Sequence, residues 1–173
     1  MGATGSARAR QPPPPEDSPP MYDLIELLFF AYRDFVGDAD RVLEAYAFGR
    51  AHHRVLHFVS RRPGLTIAEL LDILRITKQS LNRVLRELIE GGFIEARAGA
   101  ADRRQRQLFA TPAGRRLAEE LARVQTARIS RAIDELGPEG RAQAAAFLAA
   151  MIDASGRPRE AERAEIDLVK RPA

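Results

Sequence analysis

Cysteine is absent from this sequence of 173 residues, which excludes disulfide bonds, thiolate zinc sites and sensors that act by thiol oxidation. Long apolar runs are absent as well. The longest uncharged stretch after the N-terminal region, Ala142–Ile152, is far shorter than the roughly 20 apolar residues of a membrane-spanning helix. Four prolines at 12–15 stand where a signal peptide would carry its apolar core. We therefore expect a cytoplasmic protein with no membrane partner.

Recognisable catalytic motifs are also missing. The sequence has no Gly-rich phosphate loop, no nucleophile with an evident base and no paired carboxylates near a histidine. Its acidic residues are mostly scattered along the outer faces of predicted helices. We therefore predict that the protein is not an enzyme and that it holds no cofactor and no catalytic metal.

Lysine is scarce, because all but two of the 27 basic residues are arginine. The net charge of +3 is modest, but it is unevenly distributed. Residues 75–106 contain eight basic and four acidic residues, and the rest of the chain is close to neutral. A localised basic segment on a nearly neutral body suits a polyanionic partner.

The length predicts one compact domain with disordered ends. Residues 1–20, rich in proline and arginine, show no hydrophobic periodicity, so we expect a disordered arm there. The charged tail, residues 154–173, is expected to fray. Between them, residues 21–153 carry helical patterns. The first helix, from Asp23 to just before Gly37, is apolar around most of its circumference and therefore needs a second burial partner, which points to another subunit.

A helix-turn-helix motif is predicted after a helix at about Arg50–Arg61. Thr66 and Glu69 form a capping box that opens the first helix of the motif. Thr77 caps the second helix, which ends at Gly91-Gly92. An outward stripe on that second helix consists of side chains that can hydrogen-bond a base edge or a phosphate, namely Gln79, Asn82, Arg83 and Arg86.

Two strands are weakly indicated next, at Phe93–Arg97 and Arg106–Thr111, around a turn. Thr111-Pro112 then restarts a helix, with Thr as N-cap and Pro at the first helical position. That helix should run to about Gly137, and a last helix should start near Pro138.

Five motifs fall at the spacing of a helix-turn-helix, a wing and a following helix: Pro63-Gly64-Leu65-Thr66, Thr77-Lys78-Gln79-Ser80, Glu90-Gly91-Gly92-Phe93-Ile94, Asp102-Arg103-Arg104 and Thr111-Pro112-Ala113-Gly114. In this order and spacing the chain resembles the MarR family of bacterial transcriptional regulators, over roughly residues 22–153. Within the family it resembles the PetP-type regulators.

The resemblance implies a mainly α, α+β fold with a winged helix-turn-helix core. The DNA-binding lobe would be residues 50–111, and residues 21–37 and 112–153 would supply the helices of a homodimer interface. The implied partner is double-stranded DNA, bound at a pseudo-palindromic operator with the second helix in the major groove and the wing in the minor groove.

Eleven residues are expected at the DNA: Thr77, Lys78, Gln79, Ser80, Asn82, Arg83, Arg86, Asp102, Arg103, Arg104 and Arg106. Arg83 would face the base edges, whereas Arg86, Arg103 and Arg106 would contact phosphate. Arg104 corresponds to the wing-tip arginine, steadied by Asp102.

The resemblance also implies a small-molecule effector, bound in a cleft that would involve Tyr32, Phe35, Tyr46, Phe48 and His53. Two alternatives remain open. The segment His52–His57 holds all three histidines, and His53 and His57 lie one helical turn apart, a spacing that suits a haem- or metal-responsive regulator. The basic stripe would alternatively serve a protein–protein adaptor that docks an acidic partner and has no operator.

Overall fold

A computed structural model describes residues 19–99 and 105–152 of the chain. In order, its elements are α1 (Tyr22–Glu44), α2 (Arg50–Arg61), β1 (Leu65–Thr66), α3 (Ile67–Leu74), α4 (Lys78–Glu90), β2 (Ile94–Ala98), β3 (Arg106–Ala110), α5 (Pro112–Glu135) and α6 (Gly140–Met151). The fold is mainly helical with one small antiparallel sheet, as the sequence predicts. None of the described helices is long and apolar enough to cross a membrane.

Threonine caps begin three of the helices where the sequence predicts them. Thr66 Oγ1 accepts from the Glu69 amide at 3.3 Å, and Glu69 Oε2 accepts from the Thr66 amide at 2.8 Å, so the capping box is confirmed. Thr77 accepts from the Ser80 amide at 3.2 Å, and Thr111 accepts from the Gly114 amide at 3.1 Å. These bonds satisfy amides that a helix N-terminus otherwise leaves unpaired.

The three strands pair in the order β1-β3-β2. Ile94 stands opposite Ala110 and Ala98 opposite Arg106, so β2 and β3 form the hairpin that the sequence weakly indicates, each strand within one residue of its predicted bounds. The sequence does not indicate β1, which exists because Leu65 and Thr66 pair with Leu108 and Gln107 of β3.

One predicted helix boundary is wrong, and a second is shifted by two residues. α1 does not end before Gly37 but continues to Glu44. A glycine inside a helix lowers stability by about 1 kcal/mol. Continuation of the helix past Gly37 buries Ala39 and Leu43, each only 1% exposed. The free energy gained by this burial outweighs the cost of the glycine. The last helix begins at Gly140, two residues after Pro138, because the left-handed residue Gly137 (φ 79°) ends α5 and a turn follows.

One hydrophobic core lies between the second half of α1, α2, α3, α4, the sheet and the first half of α5. Besides Ala39 and Leu43 of α1, its most deeply buried members, all at most 2% exposed, are Val55, Leu56, Val59, Leu70, Leu81, Val84, Leu88, Ile94, Leu108, Leu117 and Leu121. The buried side of α4 contributes Leu81, Val84, Leu85 and Leu88 to this core. The opposite side of α4 therefore faces outward.

Candidate nucleic-acid interface

The turn between α3 and α4 is three residues long. Arg75 ends α3 in the left-handed region, at φ 51°. From α2, the guanidinium of Arg54 donates to the carbonyl of Leu74 at 3.2 Å, which satisfies a carbonyl at the end of α3. Thr77 then begins α4, and its hydroxyl donates to Ser80 Oγ at 2.9 Å. Thr77 and Ser80, both predicted DNA contacts, are thus also engaged in capping α4.

The outer face of α4 carries the predicted polar stripe in an exposed position. Its exposed members are Lys78, Gln79, Asn82, Arg83 and Arg86. Among the described residues, neither Lys78, Arg83 nor Arg86 forms an ion pair. Three cations on one helix face therefore keep their charge available to a polyanion, at the spacing that lets a helix follow a groove.

His52 connects α2 to α4 beneath that face. It is the one polar residue in the buried core of the described chain, at 8% exposure. Its Nδ1 lies 3.1 Å from the Gly49 amide nitrogen, and its Nε2 lies 2.5 Å from Glu87 Oε2. An amide N–H can only donate, so Nδ1 accepts, and the neutral ring carries its proton on Nε2, where it donates to Glu87. No pattern in the sequence predicts this contact.

An aromatic cluster supports the His52 ring. Phe48 stacks on it with ring centroids 4.6 Å apart and planes 10° apart. Phe93, between α4 and β2, meets Phe48 and Tyr46 edge-on at 5.2 Å and 5.5 Å. Offset and edge-on packing of this kind adds stability beyond simple burial. The cluster therefore fixes the start of α2 against the end of α4.

The described part of the wing carries further arginines. Arg97 on β2 lies over the Phe109 ring at 4.5 Å and pairs with Glu95, while Arg106 at the start of β3 is exposed. The amide of Gly99 donates to the carbonyl of Gln105 at 2.8 Å, which holds the two strands together at the base of the turn. The predicted contacts Asp102, Arg103 and Arg104 lie outside the described residues.

The structure places the five residues predicted to form a ligand pocket on α1, on α2 and in the segment between these helices. Tyr46 and Phe48 belong to the aromatic cluster. Tyr32 lies exposed on α1, and Arg50 at the start of α2 pairs with Asp40 of α1 at 2.9 Å. Phe35 lies half-buried on the same helix, and His53 lies on α2. Their joint role in ligand binding stays a prediction.

An open cavity lies between α1 and α5 and has a volume of about 370 Å³. It is lined by Asp38, Arg41, Val42, Val124, Ala127 and Arg131, none of which belongs to the predicted pocket. Asp38 accepts from Arg128 Nε at 2.5 Å and Nη2 at 3.1 Å, a bidentate pair that ties α1 to α5. These hydrogen bonds are the main cause that lowers the pKa of Asp38.

The surroundings of His53 and His57 on α2 favour the neutral form of both imidazole rings. Burial lowers the pKa of His53, and the neighbouring His57 lowers it further, against the opposing effect of Asp40. Partial desolvation also lowers the pKa of His57, whose side chain is still exposed, with a smaller contribution from Arg61. Across the described ranges, no group of three or more histidine, aspartate or glutamate side chains is arranged to hold a metal ion. The metal-responsive alternative gains no support from this geometry.

A large apolar surface remains exposed on α1 and α6. On α1 its side chains are 42–66% exposed, and it consists of Tyr22, Leu24, Ile25, Leu27, Leu28, Phe29, Phe30 and Tyr32. On α6 it includes Phe147, Leu148 and Met151, at 49–57% exposure. Clusters of exposed apolar side chains mark interaction surfaces. We call this set the α1/α6 apolar surface.

The fold agrees with comparisons to known proteins. A model of the MarR family matches residues 48–105. The HTH-type transcriptional regulator PetP of Rhodobacter capsulatus is 47% identical over 133 residues, which is 77% of this chain and 80% of that protein. The chain belongs to the MarR family. As a member of this family, it is a winged-helix, DNA-binding transcriptional regulator.

Solved structures show the same fold. SlyA aligns with a TM-score of 0.63 at 18% identity, over 86% of this chain and 99% of SlyA. A MarR-family regulator from Silicibacter pomeroyi aligns with a TM-score of 0.62 at 23% identity, over 74% of this chain and 86% of its own. CouR from Rhodococcus jostii RHA1, bound to p-coumaroyl-CoA, aligns with a TM-score of 0.55 at 20% identity, over 65% of this chain and 79% of CouR. At these identities the likeness concerns the fold alone.

Proposed function

We propose that this MarR-family protein binds a pseudo-palindromic operator as a homodimer and that α4 reads the DNA sequence. The observation that carries the proposal is the outer face of α4. It joins two amide side chains, Gln79 and Asn82, with cations that have no acidic partner among the described residues. Amides pair with adenine and arginine pairs with guanine in the major groove. Arg86 and Arg106 would contact phosphate, as would Arg103, while Asp102 and Arg104 remain candidates at the wing.

The α1/α6 apolar surface supports the homodimer. We assign the dimer contacts to the helices of residues 21–37 and 112–153, and DNA binding to residues 50–111. Phe29→Glu, which places a charge on a ring that is 65% exposed, should dissociate the dimer in sedimentation equilibrium. Ala68→Glu, at an exposed position of α3, is the matched control and should stay dimeric. If Phe29→Glu and wild type have the same molecular mass in solution, the assignment of the dimer contacts is contradicted.

A two-fold dimer places its two α4 helices in successive major grooves. The half-sites should then lie about 10 bp apart, centre to centre. The test is footprinting of the full-length protein on fragments of its own genome at about 0.15 M salt, where non-specific electrostatic binding is reduced. Protected inverted repeats are expected. Uniform weak protection across all fragments would contradict operator binding and would favour the adaptor function.

A small-molecule effector is a second part of the proposal. The structure of CouR, which has the same fold, holds p-coumaroyl-CoA. A ligand acts on DNA binding only if its affinities for the DNA-competent and incompetent states differ. Thermal-shift screening of wild type and His53→Ala tests the predicted pocket. If every active ligand shifts both proteins equally, His53 is not part of the site.

A further inference from the structure

Glu87 is an acidic residue of α4 that is positioned to form an ion pair with a cation of the proposed DNA-binding face. It follows Arg83 by four residues, the spacing at which a carboxylate and a guanidinium pair along a helix. The exposed side chain of Glu87 is therefore within reach of the cation that the proposed function places at the base edges. An Arg83–Glu87 pair would compete directly with DNA for that guanidinium.

The structure shows Glu87 engaged elsewhere. Its Oε2 lies 2.5 Å from His52 Nε2, on the side of α4 that faces α2. Arg83 has no ion-pair partner among the described residues. The carboxylate is thus drawn away from Arg83 by a side chain that lies 35 positions earlier in the chain.

His52 is built to hold this position. The residue is buried, at 8% exposure, Phe48 stacks on one face of the ring at 4.6 Å, and the Gly49 amide donates to Nδ1 at 3.1 Å. The amide fixes the tautomer that donates from Nε2, so the ring presents a hydrogen-bond donor to Glu87 without needing to be charged. A flexible surface side chain would lack this fixed orientation.

We propose that His52 is a positioning residue for DNA recognition, because it binds the Glu87 carboxylate and so keeps Arg83 free for the operator. This inference rests on the proposed function. Without His52, a pair of this order, with the cation before the acid, has the weaker i,i+4 orientation and would occupy Arg83 about 60% of the time. Operator affinity should then fall about 2.5-fold per subunit, or roughly sixfold for a dimer that uses both helices.

The test is fluorescence anisotropy of the full-length protein on the footprinted operator, with circular dichroism as the check on folding. His52→Leu should lose affinity by the factor above. His52→Gln, whose amide can still donate to Glu87, should stay within about twofold of wild type. If His52→Leu does not fold, His52→Asn, whose shorter side chain withdraws from Glu87, replaces it in every comparison.

Two double variants distinguish a positioning role of His52 from a purely structural one. In the Glu87→Gln background, the His52→Leu loss should shrink below about twofold, because a neutral amide forms no ion pair with Arg83. In the matched Glu90→Gln background, which removes a nearby acid that His52 does not contact, the full loss should persist. An equal loss in both backgrounds would overturn the proposal.

Arg83→Ala distinguishes this inference from the proposed function itself. If Arg83→Ala weakens operator binding and the added His52→Leu substitution causes no further loss of affinity, both the DNA-reading role of α4 and the role of His52 are supported. If Arg83→Ala weakens binding but His52→Leu weakens it again by the full factor, only the role of His52 is refuted. If Arg83→Ala binds the operator as wild type does, the DNA-reading role of α4 fails and the role of His52 fails with it.

Discussion

Gly114 is the position where one added methyl group should disturb the wing most. It lies in the first turn of α5, buried against the segment that leads into β2. A Cβ at this position would lie 2.0 Å from the carbonyl oxygen of Phe93 and 3.3 Å from Leu56 Cδ1. That oxygen also accepts from the Thr111 amide at 3.0 Å. Gly114→Ala therefore forces backbone atoms apart rather than a flexible side chain.

The magnitude follows from three contributions. Overpacking of a tight site costs about 1–3 kcal/mol, and the 2.0 Å contact places this site at the upper end. Loss of the Thr111–Phe93 hydrogen bond costs about 1 kcal/mol. The higher helix propensity of alanine returns about 1 kcal/mol. The net expectation is a loss of about 2–3 kcal/mol in the free energy of unfolding, which corresponds to a Tm lower by roughly 5–10 °C for a domain of this size.

Gly37→Ala is the matched control, because Gly37 also lies within a helix and a Cβ there would meet nothing within 4 Å. It should raise the free energy of unfolding by about 0.5–1 kcal/mol through helix propensity. Urea titration monitored by circular dichroism, at equal protein concentrations because of the proposed dimer, measures both variants. Equal effects of the two substitutions would refute the steric reasoning at Gly114.

Three further predictions concern backbone strain and pH. Arg75→Gly should raise the free energy of unfolding by about 0.5–1 kcal/mol, because the left-handed conformation at φ 51° suits glycine; a decrease in urea titration would contradict this. Hydrogen bonds from Thr66 lower the pKa of Glu69, so Glu69 contributes stability above its ordinary pKa that is lost as pH falls through the lower folded value. The difference between wild type and Glu69→Gln should therefore shrink on acidification, and a constant difference would exclude the linkage. Desolvation lowers the pKa of His53 and His57 below the ordinary value of 6.5. The free energy of unfolding should therefore decline as the pH falls from 6.5 through the lower pKa values of the folded protein. The double variant His53→Leu/His57→Leu should lack that decline, and an unchanged pH profile would show that these rings are not its source.

Helix starts were predictable because their determinants are local. Thr66, Thr77 and Thr111 each cap a helix through an amide three residues later, so sequence spacing alone contains the information. The outward stripe on α4 followed in the same way from the position of the buried Leu81, Val84 and Leu88.

What depends on distant residues was not predictable. β1 has only two residues and exists through pairing with β3, more than forty positions away. The extension of α1 past Gly37 depends on burial of Leu43, which local glycine preference does not reveal. The contact between His52 and Glu87 joins residues of two helices that no periodicity relates. The one signal in the sequence was the position of Glu87, directly after Arg86 and four residues after Arg83, which indicates that this carboxylate needs a partner.

The central claim is that α4 reads DNA sequence, and the most direct test compares three variants on the operator and on a scrambled duplex of equal length. Arg83→Ala should weaken operator binding by about 1–3 kcal/mol and reduce the preference for operator. Arg86→Ala should weaken both duplexes alike. Arg123→Ala, which removes an exposed α5 cation with only a loose 3.8 Å pair to Glu119, should change neither. Equal losses on both duplexes for Arg83→Ala and Arg86→Ala would contradict the claim.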